Sequence, residues 1–183
     1  IMAAVDGARI TLHGRGGHGA EPQSTADPIV AGASIVMALQ TIVSRNIQAF
    51  DPAVITVGAF HGGSASNIIP NEVELVVGIR SFDPTTRDFI EKRVTEIAKF
   101  QAESFSMAAS VNYERSYDAT VNHTAETNFL RTQAVQFAGV ENVIDLDQPR
   151  MGSEDFTYML QACPGSPSRG GPDFWRSTGR NRN

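Results

Sequence analysis

"ARITLHGRGGHGAEPQSTADP", residues 8–28, is the stretch whose reading decides the fold. Its centre, Gly14 to Gly19, has the spacing G-x-G-x-x-G behind a plausible strand, which raises a dinucleotide-binding fold. That fingerprint needs a helix beginning inside the glycine motif, so that its N-terminus meets a pyrophosphate. Here residues 20–26 intervene before the first helix signal, Asp27-Pro28. The fingerprint also needs an acidic residue closing the next strand, and "AVITVGAF" (53–60) runs into His61 instead. The glycine motif is therefore read as a loop between a strand and a later helix.

The flanking segments agree with that reading. Residues 8–13 alternate, with Ala8, Ile10 and Leu12 on one face and Arg9, Thr11 and His13 on the other, a half-buried strand. Asp27 as N-cap and Pro28 at the first helical position start a helix. Its expected apolar stripe is Ile29, Ala33, Val36, Met37 and Val43. A strand at 53–60 precedes the turn-rich "HGGSASNIIP" (61–70). "NEVELVVGIRSF" (71–82) then places Val73, Leu75, Val77 and Ile79 on one face, and Glu72, Glu74 and Arg80 on the other. A second Asp-Pro, Asp83-Pro84, opens a helix with Ile90, Val94 and Ile97 inward, and "ASVNYE" (109–114) supplies a fourth strand. The order β-α-β-β-α-β predicts an α+β, ferredoxin-like sandwich over residues 4–116, with a four-stranded antiparallel sheet and both helices on one face.

Residues 117–163 read as a partial α/β segment that cannot close a core alone. "SYDATVNH" (116–123) is a connection, and a helix from Thr124 carries Leu130, Ala134 and Phe137 and stops at Gly139. "NVIDL" (142–146) suggests a short strand, and "SEDFTYMLQAC" (153–163) a short helix capped by Ser153. Residues 164–183, rich in Gly, Pro, Ser and Arg, read as an irregular tail.

Composition narrows the function classes. The 183 residues are 41% hydrophobic and 19% charged, ordinary for a globular chain. A net charge of −5 gives no support for a nucleic-acid partner. Cys163 is the single cysteine, which rules out an internal disulfide and suits a reducing, cytoplasmic setting. No apolar run is expected to reach the roughly 20 residues that span a bilayer. The opening "IMAAVDGARI" lacks a secretory pattern and enters strand-like sequence at once, which suggests a segment removed upstream. His13, His61 and His123, with Cys163, show no zinc-ligand spacing and read as strand face, loop and linker.

His18 remains. Glycines on both sides permit unusual backbone angles and let the loop present the imidazole away from the sheet. The alternative is an incidental surface histidine in a glycine-rich loop.

Three stretches bear on that choice: "GRGGHGAEPQSTADPIVAGASIVMALQTIVSR" (14–45), "GGSASNIIPNEVELVVGIRSF" (62–82) and "MGSEDFTYML" (151–160). In this order they resemble the metal-dependent amidohydrolases that include hippurate hydrolases, N-acyl-amino-acid amidohydrolases and auxin-conjugate hydrolases. The resemblance runs from about residue 4 to 164. It implies a lid, or dimerisation, domain at 4–116 inserted into a catalytic domain, whose returning half would begin at 117. It implies a homodimer, an N-acyl amino acid substrate, and a pair of divalent metals (zinc, manganese or cobalt) in the intact enzyme. By the same resemblance His18 is the catalytic histidine that reaches a neighbouring subunit's site and supports the substrate carbonyl as it becomes tetrahedral. Asn67, in "SASNIIP", matches an asparagine near the substrate, and Arg80, in "GIRSF", matches an arginine that holds the substrate carboxylate. A guanidinium suits that role because it meets a carboxylate with two parallel hydrogen bonds. Arg80 could equally be a solvated strand arginine paired with Glu72 or Glu74.

Glu154 and Asp155 could be an acid–base pair, or carboxylates favoured by the first turn of a helix. Most of the family's metal ligands lie in a segment before the lid, and one more histidine follows "GSEDF". This chain has no histidine after His123, so no metal is expected on it, and alone it is expected to be inactive. A truncation or shifted reading frame near Pro164 would account for the tail. A non-catalytic ferredoxin-like module that binds a small ligand or pairs with itself is the competing reading.

Overall fold

The computed structural model describes residues 1–144, 146 and 148–167. It divides into two compact units, Ala3–Ala119 and a second made of Ile1–Met2 with the residues from Thr120 onward. The first unit contains β1 (Ala4–His13), β2 (Gly17–His18), α1 (Pro28–Thr41), β3 (Val54–Gly62), β4 (Ile68–Ile69), β5 (Glu72–Ser81), α2 (Pro84–Ser104) and β6 (Ala108–Tyr117). The four long strands form one sheet in the order β3-β5-β1-β6, every neighbouring pair antiparallel. β2 and β4 pair separately as a two-stranded ribbon.

Strand alternation fixes which face is buried. Ala8, Ile10 and Leu12 from β1 and Val73, Leu75, Val77 and Ile79 from β5 are all at most 3% exposed. They meet Ile35, Leu39 and Ile42 from the first helix and Ile90, Val94 and Ile97 from the second in a single core. Both helices therefore cover the same face, and the other face of the sheet is left open. Both begin as the Asp-Pro pairs require: the Asp27 carboxylate accepts from Ile29 N–H at 2.8 Å, and that of Asp83 from Thr86 N–H at 2.8 Å.

The first helix departs from expectation in two ways. With its last, π-helical turn (Ile42–Asn46) it runs 19 residues, Pro28–Asn46, at mean hydropathy 1.4. The sequence thus does contain an apolar run long enough to cross a bilayer. Here one face of it, Pro28, Ala31, Gly32, Ile35, Leu39 and Ile42, packs into the core. Ile29, Ala33 and Met37, assigned to the inward stripe, are instead exposed, Met37 by 71%. A helix apolar all round carries no periodic mark of its inward face.

One polar cluster lies inside the unit. Arg87, in the first turn of α2, is 6% exposed and donates from Nε to both carboxylate oxygens of Asp6 at 3.1 and 3.0 Å. It also pairs with Asp118 and donates to the Tyr117 carbonyl at 3.3 Å. Tyr113 Oη donates to Asp6 at 2.9 Å. The hydrogen bond to Asp6 raises the Arg87 pKa above its ordinary value, against the effect of burial. Burial, and then the bond to Asp6, push the Tyr113 phenol well above the usual tyrosine range.

The second unit holds α3 (Thr124–Ala138), a 3-10 turn (Val140–Asn142) and α4 (Thr157–Ala162). Single bridges join Met2 to Thr120 and to Arg150. Gly139, at φ +89°, ends α3 as its position suggested. The expected strand at 142–146 is not seen among the described residues, and Ser153 does not cap α4, which starts at Thr157 behind Phe156. The irregular tail assigned to 164–183 lies outside the described residues beyond Pro167.

Candidate functional site

The histidine loop is built from close backbone contacts. Among the described glycines only Gly63 and Gly139 have positive φ, so the glycines around His18 are not there for unusual backbone angles. They are there for space. A Cβ on Gly14 would strike the Ala26 carbonyl, one on Gly16 the Ile69 carbonyl, and one on Gly17 would lie 2.8 Å from Thr25 Cγ2. The loop is pressed against its neighbours at each of these points, and only glycine leaves the room.

Hydrogen bonds then hold it. His18 sits on β2 in register with Ile68 of β4, and Gly19 N–H donates to the Asn67 carbonyl at 2.8 Å. Asn71 ties the base of the loop twice: its carbonyl accepts from Gly14 N–H and its Oδ1 from Gly16 N–H, each at 2.8 Å. Sequence reasoning passed over Asn71. The available signal was an asparagine, a good mimic of backbone acceptors, just ahead of a strand and facing a glycine run with amides to satisfy.

The His18 ring is exposed, and its Nδ1 accepts from Ala20 N–H at 3.1 Å. That bond occupies the Nδ1 lone pair and assigns the hydrogen of the neutral ring to Nε2. The loop thus offers one outward-facing N–H donor on a braced ribbon.

The three expected site residues do not all come together. His18 and Asn67 are neighbours on the ribbon, both exposed. Arg80 is at the far end of β5, opposite Val5 and Val54, roughly 30 Å along the strand from Asn71 at about 3.4 Å per residue. The alternative partners for Arg80 are engaged elsewhere: Glu74 pairs with Arg9 at 2.9 Å and Glu72 with His13 at 3.2 Å. Arg80 lies on the open face of the sheet and is half-buried.

Glu154 and Asp155 lie before α4, not in its first turn as expected, and their carbonyls accept from Thr157 N–H at 3.4 Å and Tyr158 N–H at 3.2 Å. His13 bonds to Ser110 Oγ at 3.0 Å on the open face, and His123 precedes α3 with Nδ1 against Gly165. Among the described residues no three His, Cys, Asp or Glu side chains converge to hold a metal ion. A dinuclear centre does not fit the donors described here.

Comparison with known proteins gives the class to which this fold belongs, a dimerisation domain. Residues 5–105 match the peptidase dimerisation domain of the M20 type, and the chain belongs to that family. It is 36% identical over 166 residues to the N-acetyl-L-cysteine deacetylase of Bacillus subtilis, covering 91% of this chain and 39% of that protein. It is 34% identical over 161 residues to the hippurate hydrolase of Campylobacter jejuni, covering 88% of this chain and 42% of that enzyme. The chain thus spans about two fifths of the length of these relatives. A crystal structure described as a dinuclear metal-binding M20 peptidase from Bacillus subtilis superposes with a TM-score of 0.69 at 22% identity, over 91% of this chain and 40% of that one, and shares the fold.

Proposed function

We propose that residues 4–116 form the lid of a metal-dependent amidohydrolase that cleaves N-acyl amino acids, with the metals held by residues outside those described here. In this reading His18 donates from Nε2 to the substrate carbonyl oxygen as it gains charge. Such a donor stabilises the transition state more than the ground state. Asn67 lines the same position and Arg80 grips the substrate carboxylate.

The observation that carries the proposal is the length of β5, which sets Arg80 about 30 Å along the strand from Asn71 at the base of the His18 loop. About 30 Å of strand cannot be bridged by one small acyl amino acid. The three residues serve one site only if His18 and Asn67 come from one subunit and Arg80 from its partner. A self-associating lid supplies that arrangement. β3 is a sheet edge with β5 as its one neighbour in the sheet. Above it lies α1, with Gly32 against Phe60 and Ile29 against Gly63. The outward Ile29, Val30 and Met37 are 37%, 53% and 71% exposed. Pairing β3 with its symmetry mate would satisfy the free edge and cover these side chains together.

The test is a chimaera in which residues 4–116 replace the matching lid of the Campylobacter hippurate hydrolase. It is expected to dimerise and hydrolyse hippurate, and Val30→Asp with Met37→Lys is expected to yield monomers with little activity. A dimer that survives both substitutions would refute the β3–α1 interface. A lid that binds ligand but leaves the chimaera inactive would favour the non-catalytic reading.

A further inference from the structure

Three polar side chains meet on the open face of the sheet, at the end of β1 remote from Arg80. His13 is the direct partner of Glu72 on β5, and Ser110 of β6 faces Thr11, one diagonal step from His13. His13 Nε2 lies 3.0 Å from Ser110 Oγ, and Nδ1 lies 3.2 Å from Glu72 Oε2. An ionised carboxylate only accepts, so Glu72 draws the hydrogen of the neutral ring to Nδ1. Nε2 is then the acceptor, and the Ser110 hydroxyl donates to it. A hydroxyl, a base that can take its proton and a carboxylate that orients the base follow one another, the arrangement of an activated nucleophile. The adjoining backbone adds a donor. β6 is a sheet edge with β1 as its one neighbour in the sheet, so alternate amides along it point away from the ladder. Ser110 and Val111 are successive, and one of their two N–H groups therefore faces outward within a residue of the hydroxyl.

We propose that Ser110, His13 and Glu72 form an acyl-transfer site for carboxylic esters, with Ser110 as nucleophile, His13 as general base and Glu72 positioning the ring. Ser110 Oγ bonds to the ester carbonyl carbon while its proton passes to His13 Nε2. The oxyanion then collapses, the bond to the leaving oxygen breaks, and that oxygen takes the proton from Nε2. Water attacks the acyl-serine in the same way, giving a proton to Nε2. Ser110 leaves carrying that proton, so a carboxylic acid is released and the three side chains are restored. An open depression beside His13, lined also by Met107, Ala108 and Ala109, has room for a small acyl or aryl group and does not enclose a long one. The His13 and Glu72 side chains are 49% and 60% exposed, so water reaches the site and a developing oxyanion is little sheltered. Aryl esters of short acids, whose leaving group asks least of the site, are the fitting class.

The experiment treats the 183-residue chain, in EDTA, with p-nitrophenyl acetate and, separately, with an alkyl fluorophosphonate whose adduct is located by peptide mass spectrometry. Ser110 is expected to carry the adduct. Ser110→Ala and His13→Gln are each expected to lower ester turnover roughly tenfold, less than the hundredfold or so of an enclosed general base, because water shares this site. Glu72→Ala should lose about threefold, since water can stand in for an exposed carboxylate, and Glu72→Gln, which keeps an acceptor oxygen, should recover most of it. All three side chains are exposed, so the variants should melt with the parent. Should one melt early, the adduct on the unaltered chain still decides. An adduct on another residue, or none, would overturn the proposal. So would ester turnover that survives in Ser110→Ala and falls in His13→Gln, since the imidazole would then be acting alone. If His13→Gln leaves the labelling of Ser110 unchanged, the serine is merely exposed and the proposal is wrong.

Discussion

Replacing His18 with alanine in the chimaera removes the outward Nε2 donor and the Ala20 N–H bond to Nδ1, and leaves the rest of the ribbon's bracing in place. The bonds from Gly19 N–H to Asn67 and from Gly14 and Gly16 to Asn71 involve no His18 side-chain atom, and β2 keeps its register with β4. The ring is exposed, so its loss opens no core cavity and the melting temperature should hold. Loss of one preorganised oxyanion donor costs about 3 kcal/mol in the transition state, or about a hundredfold in kcat. KM should move less than threefold, because the ground-state carbonyl gains little from the donor. Asn71→Ala supplies a graded comparison. It frees the Gly16 amide, at roughly 1–2 kcal/mol, and loosens a donor it does not replace. Its kcat should fall about tenfold, and Asn71→Asp, which keeps an acceptor oxygen, should recover most of that. Steady-state kinetics on the three variants is the assay. A His18→Ala enzyme with kcat within threefold of the parent, or with KM raised and kcat intact, would refute the donor role and leave the loop structural.

Other outcomes follow from the same structure. Arg87→Met leaves the Asp6 carboxylate buried without its cation, and should cost about 3–5 kcal/mol in urea unfolding. Asp6→Asn with Arg87→Met should lose less than the two single changes summed. Tyr113 carries an alkaline limit: its phenol is held above the ordinary value of 10.0, so the stability it contributes is complete below pH 10 and is lost as pH rises beyond it. Tyr113→Phe should flatten the fall in stability above pH 10, measured by denaturant midpoints at stepped pH. The 183-residue chain alone should show no turnover of N-acyl amino acids with zinc, manganese or cobalt, as its described residues form no three-donor cluster.

Much of the dimerisation domain was legible because its signals are local. The Asp27-Pro28 and Asp83-Pro84 pairs start their helices by a bond each residue makes to its own first turn. Val73, Leu75, Val77 and Ile79 declare their face by alternation against Glu72, Glu74 and Arg80. The first helix gave no such cue, and its inward face is set by the sheet it meets. His18, Asn67 and Arg80 could be singled out by resemblance, yet their separation is a consequence of strand register, which no single segment encodes. Asn71 offered only a weak local signal for the same reason: its role is defined by the glycine amides that lie across from it.

Mixed dimers test most directly whether His18 and Arg80 form a site shared between two chains. His18→Ala and Arg80→Ala chimaeras, each nearly inactive alone, are mixed in equal amounts, unfolded and refolded together. Random pairing makes about half the dimers mixed, and each of these has one site with both His18 and Arg80 intact and one with neither, so about a quarter of the parent activity should return. Recovery near that level is the predicted result. If no activity returns while mixed dimers are shown to form, the two residues do not meet across the interface, and the account of the site is wrong.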